Sequence, residues 1–281
     1  MKIENDQFYT KQEVSLKCFF ILKNNFPELL KKSKILEPSA GTGSFINAFL
    51  KLGIEKENIL AYDIEPKHFL IKKEDFLNTS FNESSMVAVG NPPFGKRSKL
   101  AISFFNHCAK FCHTIAFIVP VQFRKYSVQN HLDNNFKLIY DELLSPTSFE
   151  NNGKNLTVRT CFQIWTKKEG YSDMRIKNAP PISHCDFDMY LYNNTPQALK
   201  FFDYDWDFAV PRQGFYDYTL RITDKNQLNK KIQYMFFKAH NQEILKRLLE
   251  IDFEKLSLKN TTIKGFGKAD VVEEYLKKYR S

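Results

Sequence analysis

The sequence predicts a doubly wound α/β sheet, mostly parallel and closed by a C-terminal antiparallel hairpin, with a smaller C-terminal domain after it. Three observations predict this. Short apolar runs alternate with helical patterns from Lys34 to Trp165, the pattern of strands joined by crossover helices. A small-residue loop, Glu37-Pro38-Ser39-Ala40-Gly41-Thr42-Gly43-Ser44, joins the first of these runs to a helical pattern. The composition changes near Gly170, beyond which Tyr, Asp, Asn and Pro are frequent. The expected domains are therefore residues 1–170 and 171–281.

The elements follow in order. Thr10 and Glu13 have the spacing of a capping box, so Thr10 is expected as the N-cap of a helix that buries Val14, Cys18, Phe19 and Leu22. A strand at Lys34–Leu36 enters the loop, and Phe45, Ile46, Phe49 and Leu50 mark the buried face of the next helix. Further strands are expected at Ile59–Tyr62, Phe69–Ile71, Met86–Val89 and Ile115–Val119, with a helix over Leu100–Phe111. Phe136–Leu143 and Val158–Trp165 form the hairpin. In the second domain, Leu228, Ile232, Met235, Phe236, Ala239, Leu245, Leu248 and Leu249 suggest a helix from Asn226 to Glu250, and a last helix spans Ala269–Lys278.

A chain of 281 residues that is 43% hydrophobic can bury a sizeable core. The net charge is +9, with 23 basic against 17 acidic residues up to Gly170 and 18 against 15 after it. Both halves are basic, which suits a polyanionic partner or a generic lysine-rich surface. Cys18, Cys108, Cys112, Cys161 and Cys185 show no CxxC spacing, so free thiols in a reducing compartment are expected. His107-Cys108 and Cys112-His113 lie in an apolar stretch and read as buried thiols, not a metal site. The N-terminus lacks the apolar core of a signal peptide, and no apolar run reaches the ~18 residues of a spanning helix. A cytoplasmic protein with no membrane partner is expected.

Four features carry chemistry. The loop from Glu37 to Gly43 brings glycines and free N–H groups to a helix start, where a ligand can approach the backbone. It is neither a complete G-x-G-x-x-G nor a P-loop, because Ile46 stands at the third glycine position and no loop lysine follows. Asp63 ends the next strand, placed to bind ribose hydroxyls, with Ile64 beside it to cover an adenine face. Asp75-Phe76 follows the strand after that; its acid can accept from an adenine amino group and its ring can pack on the purine. The fourth feature is Asn91-Pro92-Pro93-Phe94 after an apolar strand. Two prolines remove two N–H donors and leave the carbonyls near Asn91 and Pro92 without a sheet role. With the Asn91 side-chain oxygen they offer acceptors to an NH₂ group. An amine conjugated to a ring is a poor nucleophile, and acceptors gripping both hydrogens pull its nitrogen toward sp³. In-line placement of an electrophilic methyl then suffices. Phe94 is expected to stack on the ring.

With these residues in view, Gln7 to about Trp165 resembles the amino-methyltransferases with an Asn-Pro-Pro-aromatic motif, especially the adenine-specific DNA methyltransferases of gamma type. Gln7-Phe8-Tyr9-Thr10, the loop, Asp63, Asp75-Phe76 and Asn91 to Phe94 follow in that family's order, with Lys11 where relatives commonly have Pro. The resemblance implies a Rossmann-like methyltransferase sheet, S-adenosyl-L-methionine as cofactor, and methylation of adenine N6 in DNA after base flipping. It implies that Phe8, Tyr9 and Thr10 line the methionine end. Glu37, Pro38, Ser39, Ala40, Gly41 and Gly43 would hold the amino-acid portion, and Asp63, Ile64, Asp75 and Phe76 the nucleoside. Phe149, before Asn151-Asn152-Gly153-Lys154, sits where relatives place an aromatic against the extruded base; core packing is the other reading. The last third resembles no recognition domain, so the target sequence and the oligomeric state stay open, as does a cognate restriction endonuclease as partner.

A duplex substrate would need phosphate contacts near the pocket. Lys96, Arg97 and Lys99 follow the motif, and Arg124 and Lys125 follow a neighbouring strand. Pro211-Arg212-Gln213-Gly214 is expected as a turn, with Arg and Gln suited to base edges. Solvated loops are the bland reading of each cluster. RNA is the nearest alternative substrate, then a protein glutamine amide. A non-catalytic nucleic-acid-binding subunit fits the intact motifs least.

Overall fold

The computed structural model describes residues 8–82, 85–151 and 154–279. They fall into two compact units, Met1–Lys177 and Asn178–Ser281. Gln7 and the Asn152-Gly153 turn lie outside the described residues.

The first unit opens with strand β1 (Tyr9–Thr10), helix α1 (Gln12–Asn25), strand β2 (Lys34–Glu37) and helix α2 (Ser44–Lys51). Strands β3 (Ile59–Asp63), β4 (Lys72–Lys73) and β5 (Met86–Gly90) follow, then helix α3 (Lys99–Cys108), strand β6 (Cys112–Pro120) and the short helix α4 (Tyr126–Gln129). Strands β7 (Lys137–Leu143), β8 (Phe149–Asn151), β9 (Lys154–Leu156) and β10 (Thr160–Thr166) complete it.

All five residues of β5 are buried, as a central strand covered on both faces requires. The seven-stranded sheet has the order β4-β3-β2-β5-β6-β10-β7. Strands β2 to β6 run parallel, and β10 pairs antiparallel with both β6 and β7. The doubly wound sheet and its hairpin are thus as expected, with β10 inserted inside β7. Apolar layers cover both faces: α3, Phe123 and Phe136 on one, α1, α2 and Phe162 on the other. The chain reverses direction along the sheet between β2 and β5, and ligands of open α/β sheets bind beyond the strand ends at such a point. Strands β1, β8 and β9 make a separate small sheet, with Tyr9 opposite Glu150 and Thr10 opposite Phe149.

Two expectations fail in this unit. Thr10 is a strand residue, and Lys11 is the N-cap of α1 without a side-chain bond; pairing with Phe149 claims the Thr10 backbone. The strand expected at Phe69–Ile71 forms at Lys72–Lys73, because Phe69 is 87% exposed while Lys72 and Lys73 pair with Tyr62 and Asp63. The first unit also runs past Gly170. The Arg175 guanidinium donates to the carbonyls of Gln129, Leu132, Asp133 and Phe136 and lies over the Trp165 ring, which sews residues 171–177 to this unit.

The second unit contains strands β11 (Phe187–Tyr192), β12 (Phe208–Gln213) and β13 (Gln233–Ala239) in the antiparallel order β11-β13-β12. Helices α5 (Gln242–Leu249), α6 (Phe253–Ser257) and α7 (Lys268–Lys278) follow. The single helix expected over 226–250 is therefore a strand and a shorter helix. Tyr234 and Phe236 face one apolar layer while Met235 and Phe237 face the other. A strand buried on both sides loses its polar alternation and imitates a helix face. Asn241 marks the true helix start, accepting from the Ile244 N–H at 2.9 Å.

Candidate active site

The C-terminal ends of β2, β3 and β5, with the β4–Asp75 segment and residues Phe8 to Thr10, line a cavity of ≈ 300 Å³. Its lining includes Phe8, Tyr9, Thr10, Glu37, Pro38, Ser39, Ala40, Gly41, Asp63, Ile64, Asp75, Phe76, Asn91, Pro92 and Pro93. Sequence residues 8 to 93 thus converge on one site, as parallel strands ending at one sheet edge dictate.

The loop after β2 is built by glycine. Gly43 has φ +82°, and a Cβ there would meet the His68 ring at 2.8 Å, so its role is to shape the turn ahead of α2. Gly41 has φ +50° and packs against the Tyr9 ring. Asp63 holds the loop to the end of β3: its Oδ2 accepts from the Gly41 N–H at 2.7 Å and its Oδ1 from the Glu65 N–H at 2.8 Å. Ile64 is 58% exposed beside it. Asp75 caps a short 3-10 turn, accepting from the Leu77 N–H at 3.0 Å and the Asn78 side chain at 3.1 Å. Phe76 is buried among Tyr62, Phe81, Phe104 and His107, so core packing claims most of a ring expected to lie on a purine.

Glu37 is a buried carboxyl at the reversal point of the sheet. It lies against the bare Cα of Gly90, where an added Cβ would fall 2.1 Å from Oε1. Its one described donor is the Ser39 N–H, at 3.3 Å. Burial pushes its carboxyl well above the usual range, against the Ser39 hydrogen bond and with added repulsion from Asp63.

Asn91 follows β5. Its Nδ2 donates to the Phe8 carbonyl at 2.9 Å, and its own carbonyl accepts from Ser39 Oγ at 3.0 Å. One expected acceptor, the Asn91 carbonyl, is therefore engaged. The side-chain Oδ1 is buried and accepts no hydrogen bond from the described residues. Only an NH₂ donates to a carbonyl, so Phe8 fixes the amide with Oδ1 as the unpaired acceptor. Phe94 is 5% exposed and stacks on Phe8 with centroids 5.4 Å apart. Behind the motif, Arg97 and Ser98 both take positive φ, 56° and 61°, a conformation uncommon outside glycine and concentrated at functional sites.

Electrostatics narrow the ligand. The lining carries Glu37, Asp63, Glu65, Glu74 and Asp75, and among its described residues no Lys or Arg. A dinucleotide or nucleotide phosphate would meet repulsion there; a nucleoside carrying positive charge would not. Glu65, Glu74, Leu77, Leu100 and Phe104 were not foreseen. Leu100 and Phe104 had a readable signal, four residues apart at the start of α3, hence on one helix face.

The expected nucleic-acid contacts divide. Lys96 and Arg97 are exposed, directly after the motif. Arg124 is half exposed but paired with Asp141 at 2.8 Å. Phe149 is fully buried, edge-on to Phe8 and Phe94, which is the core-packing alternative. Residues 211–213 of the expected turn are instead the end of β12. Arg212 is committed there, donating to the Phe266 carbonyl and to Gln233 Oε1, and burial lowers its pKa. Gln213 is exposed but pairs with Gln233 through its backbone. The five cysteines are free, with Cys185 exposed and the others buried. Among the described residues no helix is long and apolar enough to cross a membrane.

No family model and no curated protein matches this chain. Solved structures do. The type IIL restriction-modification enzyme MmeI in complex with DNA is similar with a TM-score of 0.54 at 12% identity, over 92% of this chain and 64% of that one. The type I restriction-modification methyltransferase subunit from Streptococcus thermophilus matches at 0.45 and 15%, over 58% and 45%. The 23S rRNA methyltransferase ErmE matches at 0.42 and 14%, over 59% and 71%. The chain thus spans under two thirds of the MmeI chain and under half of the Streptococcus subunit. Coverage of 92% exceeds what the first unit alone supplies, so the likeness to MmeI takes in residues of both units. At 12% identity the likeness to MmeI is one of fold.

Proposed function

We propose that this chain transfers a methyl group from S-adenosyl-L-methionine to the exocyclic N6 amine of adenine in DNA, with the base flipped into the site beside Asn91-Pro92-Pro93-Phe94. The observation that carries the reading is Asn91 Oδ1, a buried acceptor whose orientation is fixed and which the described residues leave unpaired. An unpaired buried acceptor costs about 1–3 kcal/mol, and the amine of the substrate supplies the donor. With the Pro92 carbonyl as second acceptor, both amine hydrogens are gripped and the nitrogen lone pair turns from the ring toward the methyl donor. No side-chain base would be needed before transfer: as the N–C bond formed, the S–CH₃ bond would break, S-adenosylhomocysteine would leave, and the methylated nitrogen would then lose one proton to solvent.

The acidic cavity fits the cofactor. Glu37 would take its ammonium, Asp63 its ribose hydroxyls and Asp75 its adenine amine, with Ile64 over the ring and Tyr9 and Thr10 along the methionine end. Bound there, the cofactor supplies an electrophilic methyl on a sulfonium centre. The exposed Lys96 and Arg97 suit phosphates flanking a flipped base, offsetting part of the few kcal/mol that flipping costs. A restriction-modification enzyme solved with DNA has this fold, which supports DNA as the polymer.

The test is transfer of labelled methyl to DNA, to RNA and to a release-factor protein in parallel. DNA should acquire label that hydrolyses to N6-methyldeoxyadenosine. Label in RNA alone sinks the DNA reading, and label in protein alone sinks the base reading.

A further inference from the structure

The Asn91 amide sits beside a ring pair that closes on itself. Phe8 and Phe94 stack with centroids 5.4 Å apart and planes 25° apart. Phe149 stands edge-on to both, at 6.1 Å from Phe8 and 6.3 Å from Phe94. Of the three, Phe149 and Phe94 are buried and Phe8 is half-buried. Phe8 lines the cavity while Phe94 does not. A stacking face for an acceptor ring on Phe94 is therefore covered by Phe8.

Nothing flat fits between these rings as they stand. A planar ring needs about 3.4 Å on each face, the spacing of stacked bases, hence about 7 Å between the two phenyl planes. The Phe8 backbone is poorly placed to give way. Its carbonyl holds Asn91 Nδ2, the adjoining Tyr9 and Thr10 pair with Glu150 and Phe149, and the Lys11 N–H donates to the Ser148 carbonyl at 3.1 Å. The side chain is packed on the core by one side only, being half-buried and lining the cavity, and its rotation about χ1 leaves in place the carbonyl that orients Asn91.

The geometry points to Phe8 as an acceptor-site residue: its ring covers Phe94 while no planar acceptor is bound, and turns aside so that the acceptor ring takes its place. The inference rests on the proposed methylation of a base amine and deepens it. It replaces the methionine-end role that the resemblance implies for Phe8, and it names the substrate class. Only an aromatic ring bearing the amine returns the stacking that Phe8 gives up; an open-chain amide returns little of it. One aromatic pair corresponds to about two- to tenfold in affinity.

The experiment uses the full chain with 4-fluorophenylalanine in place of Phe8, followed by fluorine NMR. The same label in a Phe94→Leu background gives the unstacked reference, with the urea-unfolded chain as a second reference should that variant not fold. The probe is 2-aminopurine riboside, whose fluorescence reports its own binding, with S-adenosylhomocysteine present. Without probe the resonance should stand apart from the reference, and it should move toward it as the probe saturates. Phe8→Ala should bind the probe about two- to tenfold more tightly. Coincident resonances without probe overturn the inference, and so does a probe that binds but leaves the resonance in place. A displaced resonance with a probe that binds neither wild type nor Phe8→Ala sinks the purine reading on which the exchange depends, and the missing fluorescence change tells that failure from the other two.

Discussion

Replacing Gly90 by alanine tests how the cofactor end of the site is assembled. A Cβ at this position would stand 2.1 Å from Glu37 Oε1, 2.6 Å from its carboxyl carbon and 2.7 Å from Oε2. Folded proteins do not tolerate such separations, so Glu37 must move by about 1 Å to regain normal contact. A glutamate tip on the surface would move freely. This one is 1% exposed, at the end of β2 and against Gly90 of the fully buried β5. Overpacking of this kind costs about 1–3 kcal/mol, and each kcal/mol lowers the melting temperature by about 2–4 °C in a domain of this size. Gly90→Ala should therefore melt about 2–12 °C below wild type and bind S-adenosylmethionine more weakly by calorimetry. The double variant Gly90→Ala/Glu37→Ala should melt no lower than Glu37→Ala alone, because the clashing carboxylate is gone. If the two substitutions instead add, the contact is not what makes alanine unacceptable, and the packing argument is wrong.

Other outcomes follow from the same geometry. Burial raises the Glu37 carboxyl above its ordinary value of 4.5, so the folded state keeps a proton that the unfolded chain has lost. Its contribution is present below that value and disappears as pH rises through the raised one. Glu37→Gln should abolish this slope and melt higher than wild type at neutral pH; parallel curves of melting temperature against pH would refute it. Asp63→Ala removes the acceptor of the Gly41 and Glu65 N–H groups and should weaken cofactor binding about tenfold or more by calorimetry; unchanged affinity would free Asp63 from the site. Arg175→Ala strips a charged donor from four carbonyls and should cost about 2–4 kcal/mol in urea unfolding of the first unit; a loss below 1 kcal/mol would assign residues 171–177 to no unit in particular.

What was legible in the sequence follows from how each feature is encoded. Parallel strands end at one edge, so an ordered set of loops after Glu37, Asp63 and Asn91 specifies one site without any knowledge of side-chain geometry. The hairpin of β7 and β10 was legible because both runs are apolar and of strand length. The long helix over 226–250 misled because Tyr234 to Phe237 are apolar on both faces. The Thr10 cap misled because pairing across the small sheet outweighs a local cap. Arg212 shows the limit for charged residues: the sequence gives a guanidinium but not the Phe266 carbonyl and Gln233 side chain that engage it. Phe94 shows the same limit for rings, since its partner Phe8 lies far away in sequence. The acidity of the cavity was half legible, through Asp63 and Asp75; Glu65 and Glu74 join them only because their loops fold over the same edge.

In the proposed reaction Asn91 Oδ1 grips the amine that receives the methyl group. Its most direct test is nucleoside mass spectrometry of DNA incubated with wild type or Asn91→Ala and S-adenosylmethionine, alongside calorimetry of cofactor binding. N6-methyldeoxyadenosine should form with wild type and fall at least about a hundredfold with Asn91→Ala, while cofactor affinity changes less than about threefold. Undiminished methylation by Asn91→Ala would contradict the claim outright.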